Sequence, residues 1–185
     1  MYVIEINGFA SHAYYLLHAT SYFIMNRFIR YLDYLRPQFI FSVSGVFLLL
    51  DRWLKGQARG VWNAPRLINK FLGWEPFFNR GVAFSLPVST RVIIGLTVPV
   101  IILIVYDLFI KTHEKRSGTG YGLRVTGLAF ILVGAISNLI DRIMWRGTID
   151  YFLVLTGVIN LADVLIVGGV LLYLLAKSGQ RGIKN

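Results

Sequence analysis

Residues 134–169 are apolar enough for membrane helices, yet they carry three aspartates and two asparagines. Asn138-Leu139-Ile140-Asp141 is echoed twenty-two residues later by Asn160-Leu161-Ala162-Asp163, and Asp150 stands between. An ionisable side chain at the centre of a membrane helix costs about 2.5–3.5 kcal/mol on insertion scales, so several in one apolar stretch point to a polar site inside a membrane protein. Two aspartates held close in a poorly solvated site do not both ionise readily; one pKa rises and the pair shares a proton. Such a pair activates water with its carboxylate and polarises a scissile carbonyl with its protonated partner.

Other chemistries lack the residues they need. No Ser-His-Asp set is apparent, since His12, His18 and His113 lie far from the aspartates in sequence, and no His-x-x-x-His pattern offers a zinc site. The absence of cysteine excludes disulfides and thiolate metal ligands. No metal and no cofactor is expected, and carboxylates with water must carry any catalysis.

Each polar residue also has a structural reading. Asp141 beside Arg142 reads equally as a helix-end ion pair, Asn138 and Asn160 as hydrogen-bonding glue between helices, and Asp150 as a solvated loop residue. Asp51 reads as an interfacial acid paired with Arg52 or Lys55, and Asp107 as an ion-paired or snorkelling residue. Asp163 is the hardest to read this way, because no basic residue occurs within ten positions on either side.

The elements that must position these residues are long apolar spans, expected over residues 38–53, 92–110, 125–143 and 158–176. Pro99 falls inside the second, and Gly127, Gly134, Gly168 and Gly169 are small residues suited to close helix packing. The chain is 56% hydrophobic with a formal net charge of +10. Its basic residues lie between the spans, so topology and anionic head groups explain them better than nucleic acid, which is not expected as a partner. Residues 111–124 concentrate four cations in a short connection, whereas the roughly forty residues after the first span spread seven. Short loops weigh most in the positive-inside rule, which places both termini in the cytoplasm. Asp51, Asp141, Asp150 and Asp163 then all fall at the extracytoplasmic edge of the bilayer.

The outer segment 51–91 holds Trp53, Trp62, Trp74, Phe77 and Phe78 and is expected to form a small platform of short strands, with an interfacial helix near residues 65–72. Residues 1–36 are expected as an N-terminal leader, with an interfacial segment over 9–26, and residues 37–185 as one membrane domain. Met25, followed by a short basic stretch, offers an alternative translation start.

Five ordered motifs together resemble the bacterial lipoprotein signal peptidase (signal peptidase II) family. They are Asp51-Arg52-Trp53-Leu54-Lys55, Asn79-Arg80-Gly81-Val82-Ala83-Phe84-Ser85, the run Gly134 to Arg142 with Asn138 and Asp141, Thr148-Ile149-Asp150-Tyr151-Phe152, and Asn160-Leu161-Ala162-Asp163. The resemblance implies an all-α membrane protein of four transmembrane helices, with a small extracytoplasmic β-cradle and an interfacial helix. It also implies cleavage of lipid-modified prolipoproteins before the diacylglyceryl cysteine, in the bacterial cytoplasmic (inner) membrane, with membrane lipids as partners. Spacing alone pairs Asp141 with Asp163. The resemblance instead implies Asp150 and Asp163 as the catalytic pair, with Asn138, Asp141, Arg142 and Asn160 shaping the site, Asn79, Gly81 and Asp51 on its substrate side, and Lys55 as a further substrate-binding or site-shaping residue. Arg52 departs from the family, which usually has Gln there, and residues 1–36 match nothing in it. The rival reading is a small proton-coupled transporter or ion pathway using Asp141 and Asp163 as relay groups.

Overall fold

The computed structural model describes residues 16, 20, 23, 24, 27, 29–81, 88–114 and 120–181. Four long helices carry the chain: α1 (Pro37–Arg59), α2 (Thr90–Glu114), α3 (Tyr121–Trp145) and α4 (Leu161–Arg181). Four short strands, β1 (Arg66–Asn69), β2 (Leu72–Asn79), β3 (Thr148–Val154) and β4 (Gly157–Ile159), form one sheet in the order β1-β2-β3-β4, antiparallel throughout. The fold is therefore mostly helical with one small antiparallel sheet, a sheet of the kind the resemblance implies.

Helix boundaries follow local chemistry. Pro37 opens α1, where its missing N–H costs nothing, and Gly60 closes it. Arg146, at φ 60°, ends α3, and its N–H returns to the Arg142 carbonyl at 3.0 Å. The start of α3 is capped from elsewhere in the chain: Asp33 accepts from the N–H groups of Gly120 at 2.9 Å and Gly122 at 2.7 Å. Residues 29–34, themselves helical, run past this end, where Ile29 and Leu32 pack on Leu123 and Ala176. The expected interfacial segment over 9–26 lies for the most part outside the described residues.

The last helix starts later than expected. Residues 157–159 pair with β3, and α4 begins only at Leu161, which puts Asp163 in its first turn. The expected helix near 65–72 is absent; those residues form the β1–β2 hairpin. Asn69 accepts from the Phe71 N–H at 2.8 Å, a side-chain turn that reverses the chain, and β1 and β2 approach too closely at Gly73 for any Cβ.

Helix α3 packs on each of the other three helices. Ile40 of α1, Ile104 and Leu108 of α2, and Val125, Leu128 and Ala129 of α3 form the main apolar core. Two helices, α2 over Thr90–Phe109 and α3 over Tyr121–Trp145, are long and apolar enough to cross a membrane. Helices α1 and α4 do not meet that measure; α1 carries Asp51, Arg52, Lys55 and Arg59.

Small residues set the α3–α4 distance. A Cβ on Gly127 would sit 2.6 Å from the Gly169 carbonyl oxygen, and one on Gly169 would sit 2.5 Å from the Gly127 carbonyl oxygen. A Cβ on Gly134 would meet the Ala162 carbonyl oxygen at 2.5 Å. Gly168 differs from the other three, since nothing lies within 4 Å of a Cβ built there. Thermal denaturation should separate the neighbours: Gly169→Ala is expected to lower Tm by forcing α3 and α4 apart, at a cost of about 1–3 kcal/mol, while Gly168→Ala should leave it unchanged or raise it.

Candidate active site

The site is built at the start of α4 by a reciprocal cap. Asn160 precedes the helix, and its Oδ1 accepts from the Asp163 N–H at 2.9 Å. Asp163 Oδ2 accepts in return from the Asn160 N–H at 3.2 Å. This is a capping box in which Asp takes the place usually held by Glu or Gln. The Nδ2 of the same asparagine remains available and donates to Asp150 Oδ1 at 2.6 Å. One side chain thus starts the helix, orients Asp163 and holds Asp150 on β3.

Two further asparagines complete the cradle. Asn79, at the end of β2, donates to Asp150 Oδ2 at 3.1 Å while its Oδ1 accepts from the Gly81 N–H at 2.9 Å. Asn138 on α3 donates to Asp163 Oδ1 at 2.8 Å. Arg142, one turn further along α3, directs both terminal nitrogens at the Gly81 carbonyl, each at 3.2 Å. Residues 82–85 of the motif after Gly81 lie outside the described residues. Asp150 and Asp163 line one cavity of about 540 Å³, with Glu75, Asn79, Arg142 and Thr148 among its polar neighbours. Burial, then the Asp163 carboxylate, pushes the Asp150 pKa up to about 6, against the hydrogen bonds from Asn79 and Asn160.

Asp141 has a different environment. It is fully buried and is not part of the cavity wall. Its cations are Lys55, at 2.9 Å, and Arg52, rather than the adjacent Arg142. Its Oδ2 also accepts from the Ile149 N–H at 3.3 Å, which pins the residue before Asp150. Arg52 reaches the Ser137 carbonyl as well, so the departure at that position supplies a second cation to Asp141.

Lys55 is the hub behind the cavity. With 0% of its side chain exposed, it contacts Asp141, Asp51 at 3.0 Å and Asn138 Oδ1 at 2.8 Å. Asp51, equally buried, accepts from Ser137 Oγ, from Tyr151 Oη at 2.8 Å and from the Ala162 N–H at 3.2 Å. Tyr151 Oη in turn accepts from the Leu161 N–H at 3.0 Å. Burial and the Asp51 carboxylate push the Tyr151 pKa up, so it stays an O–H donor. Helix α1 thereby holds the first turn of α4 by its free N–H groups.

Ten residues singled out from the sequence fall in this assembly: Asp51, Lys55, Asn79, Gly81, Asn138, Asp141, Arg142, Asp150, Asn160 and Asp163; Asp51, expected on the substrate side, is instead fully buried with Lys55 behind the cavity and does not line it. Asp107, outside it, pairs with Arg124 as its structural reading anticipates. Sequence reasoning missed Ser137, Glu75 and the Tyr151 hydroxyl. The place of Ser137 immediately before Asn138 was a usable signal for the first; Glu75 has none.

Comparison with known proteins adds the family. The family model described as Signal peptidase (SPase) II matches residues 43–178. The chain is 33% identical over 126 residues to the lipoprotein signal peptidase of Mesorhizobium japonicum, covering 64% of this chain and 73% of that one. To the lipoprotein signal peptidase of Clostridium tetani it is 31% identical over 154 residues, covering 75% and 90%. Two solved structures, each described as a bacterial membrane enzyme, share the fold. One superposes with a TM-score of 0.70 at 17% identity over 80% of this chain and 92% of the other. The second gives 0.62 at 18% identity over 75% and 92%.

Removing the hub should be costly. Lys55→Met leaves two buried carboxylates without their shared cation, and such losses typically cost about 3–5 kcal/mol. Thermal unfolding of the purified variant in detergent should register a drop of that order, with Asp141→Asn less damaging because Lys55 keeps Asp51.

Proposed function

Because this chain belongs to the signal peptidase II family and so removes signal peptides from prolipoproteins, we propose that it works as an aspartic endopeptidase with Asp150 and Asp163 as its catalytic pair. The observation that carries this reading is that both carboxylates line one cavity while a single asparagine, Asn160, binds them both.

Water bound between the two carboxyls is deprotonated by the ionised one as its oxygen attacks the scissile carbonyl. The protonated partner donates to the carbonyl oxygen, giving a neutral gem-diol. Collapse of the diol breaks the C–N bond, returns a carboxylic acid on the signal peptide and passes a proton to the leaving amine, here the lipid-modified cysteine. Asn79, Asn138 and Asn160 each donate to one of the two carboxylates, and the second lone pair of each of those oxygens can accept from water and substrate. Arg142 and Gly81 shape the opening, and Asp51, Lys55 and Asp141 hold the elements behind it.

The placement proposed is four membrane spans with both termini in the cytoplasm and the site at the extracytoplasmic edge. Each of the four helices has at least 21 residues, enough for the roughly 20 that a bilayer requires. The diacylated substrate enters from the lipid side, and the sheet with Trp62 and Trp74 sits at head-group level. The transporter reading finds no support, since Asp141 is held by two cations away from the cavity.

Asp150→Asn and Asp163→Asn should each reduce cleavage of a diacylated prolipoprotein by at least about a hundredfold while still inserting in the membrane. The raised pKa of Asp150 gives the first variant a second signature. Folding favours the protonated form, so ionising Asp150 removes native stability as pH rises from its ordinary value of 3.8 through about 6. A shift of this size corresponds to about 3 kcal/mol. Asp150→Asn should therefore gain Tm relative to the unaltered protein between about pH 4 and pH 8.

The rate should carry the same ionisation. Asp150 titrates at about 6 beside an ionised Asp163, so above about pH 6 the pair loses its single proton and with it the general acid, and kcat/KM is expected to fall about tenfold per pH unit. A flat profile up to about pH 8 would contradict this ionisation.

A further inference from the structure

Among the described residues, Glu75 is the one acid lining the catalytic cavity that the proposed mechanism leaves unused. Its position is produced by an irregularity in the sheet. Strand β2 pairs with β3 through Phe77↔Asp150 and Asn79↔Thr148, and again through Trp74↔Phe152 and Leu72↔Val154. Between Trp74 and Phe77 the register shifts, so that Glu75 and Pro76 together oppose Tyr151 alone. Two residues facing one is a bulge, which bends the strand and re-aims a side chain. Pro76 suits the bulge because it has no N–H to offer the ladder. Glu75 thereby lines the same cavity as Asp150 and Asp163.

Its chemistry sets it apart from its neighbours. Asp51 and Asp141 are paired with Lys55, and Asp150 and Asp163 are held by asparagines. Glu75 is half-buried, and among the described residues nothing donates a hydrogen bond or an ion pair to its carboxylate. A carboxylate partly withdrawn from water and left without a partner is most favourably completed by a cation brought with the ligand, and it repels an acidic one.

Building on the peptidase reading, we propose that Glu75 is a specificity-determining residue that favours a Lys or Arg side chain, and disfavours Asp or Glu, on the mature side of the prolipoprotein cleavage site. Strand geometry gives the distance. Glu75 lies two positions from Phe77, the partner of Asp150, or about 7 Å along the strand. An extended substrate advances the same distance in about two residues. The direction is taken from the two ends of β2: Asn79 pairs with Thr148, three residues past the end of α3, and Leu72 pairs with Val154 at the hairpin end, so the mature chain runs from the α3 end toward the β1–β2 hairpin. The residue read is thus the second or third after the lipidated cysteine.

The test uses the full-length enzyme in nanodiscs and three diacylated prolipoproteins that differ only in carrying Lys, Gln or Glu at those two positions. The unaltered enzyme is expected to show a kcat/KM ratio for Lys over Glu of about tenfold. Glu75→Gln should bring that ratio to near unity, and Glu75→Lys should invert it. No preference in the unaltered enzyme, or a preference that survives Glu75→Gln, overturns the assignment. Failure of the underlying reading has a separate signature: the Gln substrate would go uncleaved by the unaltered enzyme, or would be cleaved fully by Asp150→Asn.

Discussion

The structure depends on one helix cap. Free N–H groups at the start of α4 must be satisfied, and this chain satisfies them with groups that the site also uses. Asn160 and Asp163 cap one another, and the amide nitrogen left over on Asn160 binds Asp150. The next two N–H groups go to Tyr151 Oη and Asp51. Folding the helix and placing the two carboxylates are therefore a single event. A cap is worth only about 1 kcal/mol in stability, but here it also fixes the relative position of two residues that come from a helix and a strand.

The second constraint is charge. Asp51, Lys55 and Asp141 are completely buried behind the cavity, and Arg52 adds a further cation from the half-exposed side. Burying such a set is expensive, and well-packed apolar residues would often be as stable. What the network supplies is position. It ties α1 to α3 through Lys55 and Asn138, α1 to α4 through Ala162, and α3 to β3 through Ile149. The three elements that carry Asn138, Asp150 and Asp163 are held against one another by bonds that break if any element shifts. The close glycine contacts between α3 and α4 serve the same end with backbone alone.

Much of the site was legible because its residues are costly where they stand. An aspartate without a nearby cation in an apolar stretch, as at Asp163, has few reasons to be there. The proposed placement of Asp51, Asp141, Asp150 and Asp163 at one edge of the bilayer rests on the density of cations in the short connection 111–124. Pairing was not legible. The repeated Asn-x-x-Asp suggested that Asp141 and Asp163 face each other, but only the second copy starts a helix. The first lies inside α3, where Asp141 meets Lys55 and Arg52 instead. The helix expected at 65–72 failed because a short apolar run with Asn69 at its turn reads the same for a strand as for a helical surface. Glu75 was invisible, since a bulge is a property of two strands in register and neither strand carries it alone.

A pair of carboxylates that activates water differs from one that forms a covalent acyl-enzyme in where the solvent oxygen first goes. A single turnover in water enriched in oxygen-18, with enzyme in excess over a diacylated prolipoprotein, tests this directly by mass spectrometry of both products and the enzyme. Direct attack by water predicts one labelled oxygen in the new carboxylate of the released signal peptide and none in Asp150 or Asp163. Label in either aspartate, with an unlabelled signal peptide after the first turnover, would contradict it.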